Sequence, residues 1–176
     1  MKTEIEKFGP CKEAIFFRNQ YPDFQTAWNN CHRGDWMLWL AEKLKVDDRK
    51  LTLAKGLCAK TVIHLMKDER SKKAFKIAID YGKGKLTKKE LIEAAAAADT
   101  AYDDAADNAT DNDDTAYAAY AAAAAVAAIF DSNVVANVAA YAATAYAADK
   151  KENQKQTSDI CREILTNDVF KLIQLL

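Results

Sequence analysis

The sequence predicts an all-α protein, and three observations carry that prediction. Residues 90–149 contain no lysine or arginine, and nearly half of them are alanine, the residue with the best intrinsic helix propensity. The whole chain of 176 residues holds only five glycines and two prolines, so it is poor in the residues that punctuate turns. Its apolar residues recur at spacings of three and four, and strand-like alternation is almost absent. The expected architecture is a single-domain helical bundle: short helices over 1–86, two long alanine-rich helices over 87–148 and a C-terminal amphipathic helix over 150–176. A chain of this length buries roughly 70% of its unfolded surface and needs no staple.

The elements follow in order. Pro10 suits the first position of a helix through Cys11–Asn19, because its missing N–H is one that no helix start satisfies. Tyr21-Pro22 breaks that helix, and Asp23 caps a short one through Trp28. A turn at Arg33-Gly34 precedes Asp35, read as the N-cap of Trp36–Leu44, whose face is Trp36, Leu40 and Leu44 flanked by Met37 and Trp39. Asp47 or Asp48 caps the next helix, with Leu51, Ala54, Leu57, Cys58, Val62, Leu65 and Met66 inward. Another runs over Ser71–Tyr81 with Phe75, Ala78 and Ile79 inward, and glycine in Gly82-Lys83-Gly84 supplies its left-handed stop.

Thr87 with Glu90 forms a capping box that opens the alanine-rich stretch. The Asn/Asp cluster at 105–114 interrupts it, and Asp111, Asn112 or Asp113 starts a second long helix reaching about Ala148. Asp159–Leu176 is amphipathic through Ile160, Ile164, Val169, Leu172, Ile173 and Leu176, whereas Lys150–Ser158 reads equally as linker or continuation. Alanine-lined helices approach near the short end of the usual 8–10 Å interaxial range, so a long hairpin core carrying the shorter helices is expected.

A formal net charge of −1 conceals a strong asymmetry. The segment 90–149 carries eleven acidic residues and no basic one, which leaves 25 basic against 15 acidic residues elsewhere, or +10. An acidic half competes for every Lys/Arg patch, so a nucleic-acid binder is not expected. The four cysteines form no C-x-x-C pair, so neither a zinc site nor a redox motif is indicated, and reduced thiols in a cytoplasmic protein are the expectation. The N-terminus lacks a signal-peptide apolar core, and the uncharged runs Thr115–Phe130 and Ser132–Ala148 are mostly alanine split by Asp131, so no membrane span is expected.

Asp99, Asp103, Asp107 and Asp111 recur every four residues and share a slowly drifting face of one helix. That stripe, extended by Asp104, Asp113 and Asp114, is either solvated or neutralised by the basic residues of 43–73, or it docks a basic partner. A calcium loop is not indicated, because Asp107–Asn112 lacks the glycine such a loop needs; no metal and no cofactor are expected. Tyr102, Tyr117, Tyr120, Tyr141 and Tyr146 serve a core, or they stack a flat ligand against Trp28, Trp36 or Trp39 with Arg18, Arg33 or a lysine on its phosphates. No glycine-rich phosphate loop supports the second use. His32 and His64 lie in no catalytic motif, and Cys31-His32 reads as a buried thiol beside a surface histidine.

The string W-N-N-C-H-R-G-D-W-M-L-W-L at Trp28–Leu40, the apolar helix with Leu57-Cys58-Ala59, the alanine helices and the C-R-E-I-L at Cys161–Leu165 together resemble the immunity-protein-five-like family of bacteria and phages. The resemblance covers residues 11–165 with interruptions; its R-G-D-W-x-x-W part is moderately specific and its alanine-rich part weak. It implies an α-helical, cytosolic, non-enzymatic protein that neutralises something by binding it. Within the matching string it implies that Gly34 makes a sharp turn, Asp35 caps, Trp36 and Trp39 anchor the helix, and Arg33 makes a buried ion pair or a ligand contact.

Two functions are carried forward. The first is a protein-binding inhibitor of immunity type whose face at Asp99, Asp103, Asp107 and Asp111 meets a basic toxin or effector, with complementary charge steering association. The alternative is a phage counter-defence sponge that traps a nucleotide-derived signal in a pocket built from Trp28, Arg33, Asp35, Trp36, Trp39, Tyr102, Tyr117 and Tyr120, often completed by a homo-oligomer.

Overall fold

The computed structural model describes residues 4–61, 63, 69–107 and 150–176. Every regular element among them is helical: a 3₁₀ turn (Glu6–Phe8), then α1 (Lys12–Arg18), α2 (Phe24–Asn30), α3 (Gly34–Lys43), α4 (Asp48–Lys60), α5 (Glu69–Gly82), α6 (Lys88–Asp107) and α7 (Lys150–Ile173). The first alanine-rich helix is therefore α6. The second, expected to reach Ala148, lies outside the described residues, as do Val62, Leu65 and Met66 of the expected α4 face.

Local capping chemistry sets most helix starts as expected. The Asp23 carboxylate accepts from the Thr26 amide at 2.7 Å, and Asp47 accepts from the amides of Arg49 and Lys50 at 3.1 Å each. The Thr87 amide donates to Glu90 Oε2 at 2.7 Å while the Glu90 amide donates to Thr87 Oγ1 at 3.4 Å, closing the box. These bonds favour the charged carboxylates, and the pKa values of Asp23 and Glu90 are accordingly lowered.

Two starts differ from expectation, and one open alternative is decided. Gly9 is left-handed at φ 68° and ends the 3₁₀ turn, and Cys11 is extended, so the chain turns helical at Lys12 and Pro10 stays outside. Asp35 is no cap: α3 begins at Gly34, with Asp35 as its second residue. Lys150–Ser158 is no linker but the first turns of α7.

Two helices end in the same way with different residues. Lys85 donates to Asp80 O and Gly84 to Tyr81 O, both at 2.9 Å, with Gly84 at φ 77°. At the end of α3, Val46 donates to Ala41 O at 3.0 Å and Lys45 to Glu42 O at 2.8 Å. Both are Schellman closures, but the left-handed residue of the second is Lys45, at φ 59°. A lysine Cβ is strained there by about 1 kcal/mol. Lys45→Gly is therefore expected to stabilise the protein by about 0.5–1 kcal/mol, part of the relief being offset by the greater freedom of glycine in the unfolded chain. Thermal unfolding of the variant checks this; a lowered Tm would refute the strain.

The core forms where α3 and α4 pack on α7, with α2 against α7 at one side. α5 packs on α4, and α6 on α5, outward from that centre. Met37 and Leu38 of α3, Ala54 and Cys58 of α4, and Cys161, Leu165 and Val169 of α7 are at most 2% exposed. The buried stripe of α7 is thus Cys161, Leu165 and Val169, continued N-terminally by buried Thr157 and Ser158. It overlaps the expected face at Val169 and along the half-buried Ile160, Ile164, Leu172 and Ile173 that pack against it, but Leu176 is exposed. A smaller cluster joins Ala74, Ala78 and Tyr81 of α5 to Leu91 of α6.

Candidate functional site

Two regions were expected to carry function: the aromatic string 28–39 and the aspartate stripe. In the first, the Asp23 cap starts α2 so that Trp28 is carried inward to 3% exposure. Its indole N–H donates to Thr166 Oγ1 of α7 at 2.9 Å. Phe24 and Phe170 stack around it, with ring centroids 6.0–6.5 Å apart. Phe17 of α1 meets Trp36 edge-on at 5.9 Å.

Between these rings lies a cavity of about 60 Å³ lined by Phe17, Phe24, Trp28, Trp36, Trp39 and Leu40, among others. The structure thus brings Trp28, Trp36 and Trp39 to one cavity, while Tyr117 and Tyr120 of the expected stack lie outside the described residues. Among the described residues of its lining there is no free cation. Arg18, the charged residue of the lining, is held by Glu4 at 2.8 Å and by the carbonyl of Tyr21 at 3.0 Å.

Arg33 and Asp35 are not part of that lining. Arg33 Nε donates to Asp35 Oδ1 at 2.8 Å and Nη2 to Oδ2 at 2.5 Å, a bidentate fork, and the guanidinium lies 4.4 Å from the Trp36 ring centroid. The hydrogen-bonded carboxylate raises the arginine pKa further. Of the two roles open to Arg33, the structure shows the ion pair. Asp35 works as its acceptor and as an anion in the first turn of α3, where the helix dipole favours negative charge.

Gly34 makes no sharp turn. A Cβ placed on it would lie 2.6 Å from Thr157 Oγ1 and 2.9 Å from the Thr157 backbone carbon. Glycine is present because α7 passes against the first turn of α3. The Thr157 and Ser158 hydroxyls donate back to the carbonyls of Asn153 and Lys155, each at 2.9 Å, so they pack there as small residues without an unmet polar demand.

Cys31 and His32 form no thiolate–imidazole pair. Burial pushes the Cys31 thiol up to about 11, its Sγ–H points to Arg33 O at 3.7 Å, and His32 is exposed. His64 lies outside the described residues.

Two features escaped the sequence pattern. Arg162 donates to Cys31 O at 2.5 Å and to Ser158 Oγ at 2.9 Å, bracing α7 against the end of α2. Lys55, 4% exposed, pairs with Glu42 at 3.4 Å between α4 and α3, and desolvation lowers its pKa. A lysine flanked by Ala54 and Gly56 was the available signal, but a charge reads as exposed unless its partner is known.

In the second region, α6 is continuous from Lys88 to Asp107, which puts Asp99, Asp103 and Asp107 at four-residue intervals on one helix, with Tyr102 between. Asp111, Tyr117 and Tyr120 lie outside the described residues. α6 packs on α5 with Leu91 and Ala94 buried. Two of the basic residues of 43–73 meet other acids: Lys50 pairs with Asp168 at 2.6 Å and Lys72 with Glu69 at 2.7 Å. Among the described residues no cluster of three or more metal-ligating side chains occurs, and no helix is long and apolar enough to cross a membrane.

Comparison with protein-family models, with curated proteins and with solved structures returned no match to this chain.

Proposed function

We propose that this chain is a non-catalytic binding protein of immunity or counter-defence type, which neutralises a toxin or effector by docking its basic surface on the acidic stripe. The observation that carries the reading is the register of α6: an unbroken helix sets Asp99, Asp103 and Asp107 on one face, inside a segment with eleven acids and no base. Such one-signed surfaces raise association rates by about 10–1000-fold toward oppositely charged partners. The engagement of Lys50 and Lys72 with Asp168 and Glu69 supports it further.

The sponge for a nucleotide-derived signal lacks comparable support. Its aromatic cavity of about 60 Å³ falls well below the roughly 300 Å³ of small-molecule sites. Arg18 and Arg33, two of its intended phosphate contacts, are already occupied by Glu4 and Asp35.

Co-expression with the products of neighbouring genes tests the proposal. Growth arrest by one of them should be relieved by the wild-type chain and not by the triple variant Asp99→Lys, Asp103→Lys, Asp107→Lys. With purified proteins the variant should associate about 10–1000-fold more slowly, and wild-type binding should weaken steeply with salt. Rescue that survives the reversals, with helicity unchanged, would sink the acidic-face reading. Thermal stabilisation by cyclic nucleotides or ADP-ribose derivatives would favour the sponge instead.

A further inference from the structure

We propose that Cys58 and Cys161 form a gated dithiol, a modification site that a small-molecule disulfide converts into an intramolecular disulfide tying α4 to α7. Both thiols sit in the seam of α3, α4 and α7. Cys58 Sγ–H points to Thr157 O at 3.7 Å and Cys161 Sγ–H to Gly34 O at 3.7 Å. Gly34 and Thr157 are themselves the close-approach pair of α3 and α7. The two sulfurs therefore flank the same turn of α7, since Thr157 and Cys161 are one turn apart.

The thiols also sense each other: hydrogen bonding with Cys58 is the largest influence raising the Cys161 pKa, followed by burial. Cys31, whose Sγ–H points to Arg33 O, also raises the Cys161 pKa but less than Cys58 does, and Cys11 is exposed.

Cys58 is 2% and Cys161 0% exposed, and the thiolate, not the thiol, attacks a disulfide. The packed seam is consequently inert. When α4 and α7 part, one cysteine loses its proton to solvent and its thiolate attacks a sulfur of the oxidant R–S–S–R, breaking that bond and releasing RS⁻ as the mixed disulfide forms. The second thiolate then attacks the protein sulfur of the mixed disulfide, releasing the other RS⁻. The two cysteines are oxidised by two electrons, the oxidant is reduced to two thiols, and the two protons end on those thiols. The new bond closes a loop containing the whole acidic segment 90–149.

Glutathione disulfide is the probe, applied to the full chain in a Cys11→Ser background at graded low urea, with alkylation quench, intact mass and peptide mapping. The expected product has lost two hydrogens, carries no retained glutathione and links peptides containing Cys58 and Cys161. Its formation should accelerate with urea, and its Tm should rise by about 10 °C, as expected for a cross-link closing a loop of about 100 residues. Cys31→Ala should oxidise like its parent, whereas Cys58→Ala or Cys161→Ala should form no internal link. Cross-links through Cys31, stable mixed disulfides without a Cys58–Cys161 link, or oxidation at a rate independent of urea would each overturn the proposal. The map on the parent decides the question even if the alanine variants fold poorly.

Discussion

Leu165→Ala is expected to cost about 3–4 kcal/mol and to lower Tm by about 10 °C. Leu165 is fully buried on α7 where α3 and α4 meet it, so truncation removes its transfer energy and leaves a cavity that three converging helices cannot close. At roughly 2–4 °C per kcal/mol for a chain of this size, the shift lies well outside experimental scatter. Leu176→Ala is the matched control. Leu176 is 54% exposed, and its loss should stay within about 0.5 kcal/mol. The pair contrasts a residue of the packed seam with one that the apolar periodicity counts as inward but that lies past the end of α7. Equal losses in urea unfolding would mean that Leu165 is not buried as described.

Gly34→Ala should destabilise by about 2 kcal/mol, although helix propensity alone favours alanine by up to about 1 kcal/mol. The sign is decided by the seam. The added methyl would lie 2.6 Å from Thr157 Oγ1, 2.7 Å from Thr157 Cβ and 2.9 Å from its backbone carbon. A side-chain rotation of Thr157 moves only the first of these atoms, so α7 itself must shift, an overpacking cost of about 1–3 kcal/mol or more. Adding Thr157→Gly, which removes the first two obstacles, should recover part of the loss relative to Thr157→Gly alone. Non-additivity of that kind is read directly from a double-mutant cycle. A Gly34→Ala variant as stable as the parent would show that the α3–α7 approach is looser than described.

Much of the helical framework was legible because its causes are local. Asp23, Asp47 and the Thr87–Glu90 box satisfy amides two or three residues away, and Gly84 stops α5 through its own φ. Lys45 does the same for α3 without a sequence signature, since nothing in its identity announces a left-handed backbone. The aromatic string was read as a cluster, and Trp28, Trp36 and Trp39 do share one cavity. Its glycine and aspartate were misread. Arg-Gly-Asp looks like turn and cap when only neighbours in the chain are considered. The atoms that determine its role belong to Thr157 and to the Arg33 side chain. On α7 the buried stripe includes Thr157, Ser158 and Cys161, so an apolar count finds Val169 and the half-buried flank but misses the centre of the stripe.

What the sequence determined by itself is the helical class, most of the helix starts and the segregation of acid into the alanine-rich segment, because propensity, capping and charge are properties of residues and their near neighbours. The tertiary structure alone decided which face of α7 is buried, why residue 34 is glycine, that Arg33 is bound by Asp35, and that Cys58 and Cys161 meet. Each of these depends on which helix lies within a few ångströms of which other, and close packing between distant segments leaves no periodic trace in either one.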